Sequence, residues 1–169
     1  KNKNMLSKFL MLAGLLSASA VDDCSWFIKT ATNDNFCLTM PTSQYRNGLV
    51  AILSQCDENN DQQKFRFDPF TYYIQPADDT EWCLDFDFDD KKYRPLTVFK
   101  CGQTYSDFAD NKHQRWKWPN YNAGETGALE NRGTSMCVGV GKDIYAGKYL
   151  QQYDCDDVSE FKFVEADKL

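Results

Sequence analysis

Beyond residue 20 the apolar positions come in short runs, and none reads as a capped, periodic helix. The clearest pattern alternates aromatic and basic residues: Phe65-Arg66-Phe67, Trp116-Lys117-Trp118 and Phe161-Lys162-Phe163. A period of two puts successive side chains on opposite faces of a strand. The rings are expected in the core and the cations in water. Other β-prone runs, Leu49 to Leu53, Leu96 to Phe99 and Tyr149 to Tyr153, are separated by turn signals such as Asn47-Gly48, Asp78-Asp79 and Ala146-Gly147. The pattern predicts an all-β protein.

The runs belong to a repeat marked by cysteines. Cys37 and Cys56 are 19 residues apart; Cys83 and Cys101, like Cys137 and Cys155, are 18 apart. Each first Cys has apolar neighbours, each second Cys follows a β-prone run, and each unit ends in the alternating segment. Three features recurring in one order define an internal repeat. The units are expected at approximately 25–68, 69–120 and 121–166. With about four short strands each they give roughly twelve, and closing them into a barrel removes exposed sheet edges. Three bridges within units are the simplest pairing of these six cysteines. Each closes a loop of about 20 residues, worth roughly 3 kcal/mol in the chain-entropy view. C-x-x-C spacing is absent, so a cysteine metal site is not expected. Cys24 is left over, either as a free thiol or as the anchor of an intermolecular disulfide to a partner or second copy.

Residues 1–20 change the compartment. Met5 opens a stretch with Lys8, an apolar core from Phe9 to Leu16, and Ser17-Ala18-Ser19-Ala20 in the A-x-A arrangement of a cleavage site. This predicts a few upstream residues and a secretory signal, followed by one secreted domain over 21–169. The apolar core is too short to span a bilayer. Oxidising conditions make disulfides the expected fate of the cysteines. The whole chain carries a net charge of −6 with one His, which argues against nucleic-acid partners and against any site of several His ligands. No cofactor is implied.

Cys-aliphatic, a second Cys about 18 residues on, then Gln-x-Trp/Phe: this triple register resembles the ricin B-type lectin domain, a β-trefoil. Gln63-Lys64-Phe65 and Gln114-Arg115-Trp116 fit its Q-x-W motif; Ser159-Glu160-Phe161 keeps the position without the Gln. The resemblance implies galactose-type or related glycans as partners. Its site needs a carboxylate for vicinal hydroxyls, a ring for the C–H face of the sugar, and a polar amide beside them.

Unit two matches best, with Asp85 as the acid, Phe99 as the ring, Thr97 at the polar position, and His113 with Gln114 at the Asn-Gln position. Unit three offers a weaker second site, Gln151 and Tyr153. There Gly139 stands at the acid position, Val158-Ser159 replace Asn-Gln, and Asp143 is a stand-in carboxylate. Unit one, with Thr39, Ile52 and Ser54, is expected not to bind.

The run Asp85-Phe86-Asp87-Phe88-Asp89-Asp90 lacks the Gly and Glu of an EF-hand, so a solvated acidic hairpin is expected rather than calcium. A trefoil can also serve as a protein-interaction module, such as a protease inhibitor or defence protein. Gly102 to Lys112, six residues longer than its unit-one counterpart, is the loop for that role. No nucleophile motif or G-x-S-x-G elbow is present, and the chain is expected not to be an enzyme. Tyr72, Tyr73, Tyr105 and Tyr121 are expected to be partly exposed.

Overall fold

The computed structural model describes residues 24–86, 91–103, 111–117, 125–158 and 160–168. Residues 1–23 (which include the expected signal), Asp87 to Asp90, most of the long loop after Gly102, Trp118, Tyr105, Tyr121 and Ser159 lie outside the described residues.

Unit one contributes β1 (Trp26–Thr30), β2 (Phe36–Thr39), β3 (Leu49–Val50), β4 (Ile52–Gln55) and β5 (Lys64–Asp68). Unit two adds β6 (Tyr73–Pro76), β7 (Trp82–Phe86), β8 (Leu96–Lys100) and β9 (Trp116–Lys117). Unit three adds β10 (Thr126–Gly127), β11 (Glu130–Asn131), β12 (Cys137–Gly139), β13 (Gln151–Tyr153) and β14 (Phe161–Glu165). The helical elements are three-residue 3₁₀ turns. This is the all-β fold expected from the repeat, in the trefoil form that the resemblance implies.

More strands are resolved than the expected twelve, and one reason is local. The run Leu49 to Leu53 splits at Ala51. Leu49 and Val50 pair with Val98 and Thr97 of β8, whereas Ile52 to Gln55 pair with β2. Ala51 donates to the Leu96 carbonyl of unit two and accepts from Leu150 of unit three. One β-prone run thus serves all three units.

Closure joins the two ends of the sequence. β1 pairs antiparallel with β14, from Trp26 opposite Glu165 to Thr30 opposite Phe161. Within units the hairpins β2–β4, β7–β8 and β12–β13 carry the cysteines, and the bridges are Cys37–Cys56, Cys83–Cys101 and Cys137–Cys155. Cys24 is a free, exposed thiol.

The core repeats with the sequence. Leu38, Leu84 and Val138, each directly after a first Cys, are fully buried. So are the motif rings Phe65, Trp116 and Phe161. Trp116 sits edge-on to Phe86 at 5.2 Å, and its indole N–H donates to the Leu84 carbonyl at 3.1 Å, so the ring is buried without an orphaned donor. Phe67 is only half-buried, because its side packs against Tyr72 near the surface.

Candidate saccharide sites

The motif glutamines are fixed brackets. The Gln114 carbonyl oxygen accepts from the Gly102 N–H at 2.9 Å, and its amide donates to Lys100 and Gln103 carbonyls. Gln63 repeats this in unit one: it accepts from the Asp57 N–H at 2.8 Å and donates to the Gln55 carbonyl at 2.8 Å. Both side chains are fully buried. Each ties the strand end at the second Cys to a 3₁₀ turn, satisfying backbone groups that the hairpin leaves unpaired. That role places them behind the surface.

In unit two the structure brings Asp85, Thr97 and His113 together. Asp85 lies opposite Thr97 in the β7–β8 ladder, and the Thr97 hydroxyl donates to the Asp85 carbonyl. Phe99 is opposite Cys83. The 3₁₀ turn Lys112–Gln114 aims His113 inward, with Nε2 3.4 Å from the Asp85 carboxylate. Asn131 donates to the His113 carbonyl at 2.6 Å. Gly133 packs so closely that a Cβ there would meet the His113 nitrogen at 2.7 Å. Convergence comes with enclosure: the side chains of His113 and Asp85 are 6% and 4% exposed. The carboxylate faces the imidazole rather than open solvent.

Unit one follows the same frame without the chemistry. Thr39 is buried and accepts from the Gln63 amide at 3.1 Å. The position of His113 is taken by Gln62, which reaches out to Asp78 at 3.5 Å.

Unit three is open. A cleft of about 830 Å³ is lined by Tyr153, Tyr93, Val158, Ile144, Thr32 and Asn33, with Lys142, Asp156 and Asp157 as its charged groups. At the acid position Gly139 explains the shape. A Cβ there would come within 2.6 Å of the Tyr153 ring and 2.9 Å of Val158, so the ring and the methyl occupy the space a carboxylate would need. Burial first, and Tyr93 second, push the Tyr153 hydroxyl's pKa upward, which keeps it a donor at neutral pH. Of the sequence-selected pair, Tyr153 lines the cleft. Gln151 instead donates to the Tyr93 carbonyl at 2.8 Å. Asp143 is exposed and is not part of the cleft wall; Asp156 and Asp157 supply its carboxylates.

Tyr93 is the residue the sequence reasoning missed. It comes from unit two and lies edge-to-face on Tyr153, centroids 5.2 Å apart at 87°. A signal existed: Tyr45, Tyr93 and Tyr145 recur eight to ten residues after the first Cys of each unit. Among the described residues no three His, Cys, Asp or Glu gather as a metal site, and no helix is long and apolar enough to cross a membrane.

A barrel of three disulfide-closed units with this register is a β-trefoil, and known proteins share it. The family model of the ricin-type beta-trefoil lectin domain matches residues 26–163. The chain belongs to that family. The hemolytic lectin CEL-III is 23% identical with a TM-score of 0.60, over 81% of this chain and 29% of that one. The beta-trefoil lectin of the Vibrio vulnificus hemolysin/cytolysin, solved with N-acetyl-D-lactosamine, is 18% identical with a TM-score of 0.57, covering 84% and 96%. The C-half of an earthworm R-type lectin, solved with GalNAc, is 11% identical with a TM-score of 0.58, covering 84% and 98%. At these identities the likeness is one of fold. The chain spans less than a third of CEL-III, and no curated protein sequence matches it.

Proposed function

We propose that this chain is a secreted, non-catalytic lectin whose main saccharide position is the unit-three cleft. The observation that carries this is Tyr153: an aromatic face on an open cleft, flanked by carboxylates and a lysine able to bond hydroxyls. Apolar C–H faces pack on such rings, and charge-assisted bonds to hydroxyls fix orientation. Galactose-type ligands are the first to test, since two fold neighbours were solved with GalNAc and N-acetyl-D-lactosamine. A second position in unit two is supported by Asp85, which lies opposite Thr97 and 3.4 Å from His113. Its carboxylate becomes available only when Asp85 and His113 part. Single shallow sites bind at about millimolar affinity, near −4 kcal/mol. Avidity then asks for more than one copy, and an intermolecular disulfide through the exposed Cys24 thiol would supply one.

A glycan array of wild type, Tyr153→Ala and Asp85→Ala tests the assignment. Tyr153→Ala is expected to abolish the signal and Asp85→Ala to retain most of it. Binding by neither wild type nor variants, or undiminished binding by Tyr153→Ala, would overturn it. Migration at monomer size on non-reducing gels would dismiss the role given to Cys24.

A further inference from the structure

We infer that the unit-three cleft selects glycans of two or more rings. Tyr93 provides a second stacking platform, and Gln151 acts as its positioning residue. This rests on the cleft being a saccharide site, as proposed above.

Three observations converge on Tyr93. The residue is 60% exposed and lines the cleft. Its backbone is left-handed, φ 69°, a region that costs a bulky residue about 1 kcal/mol or more and persists only where the surroundings enforce it. The enforcement is visible. The Tyr93 N–H donates to the Gln152 carbonyl at 2.6 Å, and its own carbonyl accepts from the Gln151 amide. On one side of it Lys92 pairs with Asp154 and Asp157, and on the other Gln152 donates to the Arg94 carbonyl at 2.8 Å. A strained, exposed aromatic held from both sides is a preorganised surface, and preorganisation lowers the entropy lost on binding.

The geometry sets the ligand's length. Tyr93 and Tyr153 stand at 87°, so one sugar ring lies flat on only one of them. A second ring, turned at the glycosidic bond, meets the other. With Gly139 at the acid position, no carboxylate sits under Tyr153. The anionic groups that line the cleft are Asp156 and Asp157. At about 830 Å³ the space is near the top of the ~300–1,000 Å³ range that holds drug-sized ligands, more than one hexose fills.

Calorimetric or NMR titrations of galactose, N-acetyllactosamine and a tetrasaccharide ending in N-acetyllactosamine test this on the secreted protein. Wild type is expected to gain at least about tenfold in affinity from galactose to the longer ligands, the ~1.4 kcal/mol that one added stacking contact can supply. Tyr93→Gly removes strain and ring together. It should erase the gain from galactose to the longer ligands, read as the ratio of their affinities within that variant. Tyr93→Phe should keep the gain, and Gln151→Ala should lose part of it. Equal affinity for all three ligands, or a full gain in Tyr93→Gly, would overturn this inference and leave the cleft standing. Failure of all three to bind, or binding that Tyr153→Ala does not reduce, would overturn the cleft itself.

Discussion

Units two and three start from the same hairpin, yet one encloses its polar group and the other leaves its ring in the open. Unit two keeps an acid at the site position, and the acid finds a partner within its own unit in His113. Unit three has lost the acid, and its Tyr153 and Val158 move into the vacancy. The residue that looks most like a sugar ligand in sequence is therefore the less available one. A buried carboxylate is stable only when paired, so retaining an acid at a closed position favours an internal partner over a ligand.

The strongest way to break the comparison is to remove the pairing in unit two. Asp85→Ala leaves His113 buried without its carboxylate, and breaking a buried pair of this kind costs about 3 kcal/mol. Urea unfolding should show that loss while the saccharide affinity of unit three stays at the wild-type value. A variant as stable as wild type would show that the pair is not structural. Next comes Gly139→Ala, which forces a methyl against Tyr153 and Val158. Overpacking of this kind costs roughly 1–3 kcal/mol. Adding Val158→Ala should restore part of it, a coupling that thermal unfolding of the double variant reads directly.

The brackets sharpen the same contrast at smaller size. Gln63→Ala and Gln114→Ala each strand a backbone N–H, of Asp57 or Gly102, and should cost about 1–2 kcal/mol apiece. Hydrogen exchange at those two amides should rise in the matching variant only. Equal exchange in both would mean that the glutamines do not hold these turns.

The fold was legible because its constraints are local and occur three times. A Cys spacing, an aromatic alternation and a motif Gln each read at short range, and their coincidence made the trefoil and all three bridges readable. The site was legible only in part. The positions of Asp85, Thr97, Phe99 and His113 follow from the register, but their enclosure depends on Gly133 and Asn131, which come from another unit. Tyr93 was hidden for a similar reason. Nothing in Lys91-Lys92-Tyr93-Arg94 announces that the segment docks on β13 of the next unit, and a left-handed tyrosine cannot be read from sequence as a left-handed glycine can. Gln151 was expected in the right place but in a different role, since its amide holds a neighbouring loop.

The smallest expected effect concerns the ion pair beside Tyr93. The hydrogen bond to Asp154 is the main cause of Lys92's raised pKa; the slight loss of hydration opposes it, and the charges of Asp154 and Asp157 add to it. A raised folded-state pKa gives a contribution that is complete below the unfolded lysine value, about 10.4, and fades as pH climbs through the higher folded one. Between about pH 6 and 9 the pair is therefore constant, and oligosaccharide affinity should show no slope from Lys92 there. The side chains of Lys92 and Asp154 are 43% and 48% exposed, where ion pairs contribute little. Lys92→Met should change tetrasaccharide affinity by no more than about twofold, because the backbone bonds to Gln152 and Gln151 still fix Tyr93. A tenfold loss would transfer the positioning of Tyr93 from those hydrogen bonds to the charges, and raising the salt from about 0.05 to about 0.5 M in the wild type should then reproduce it.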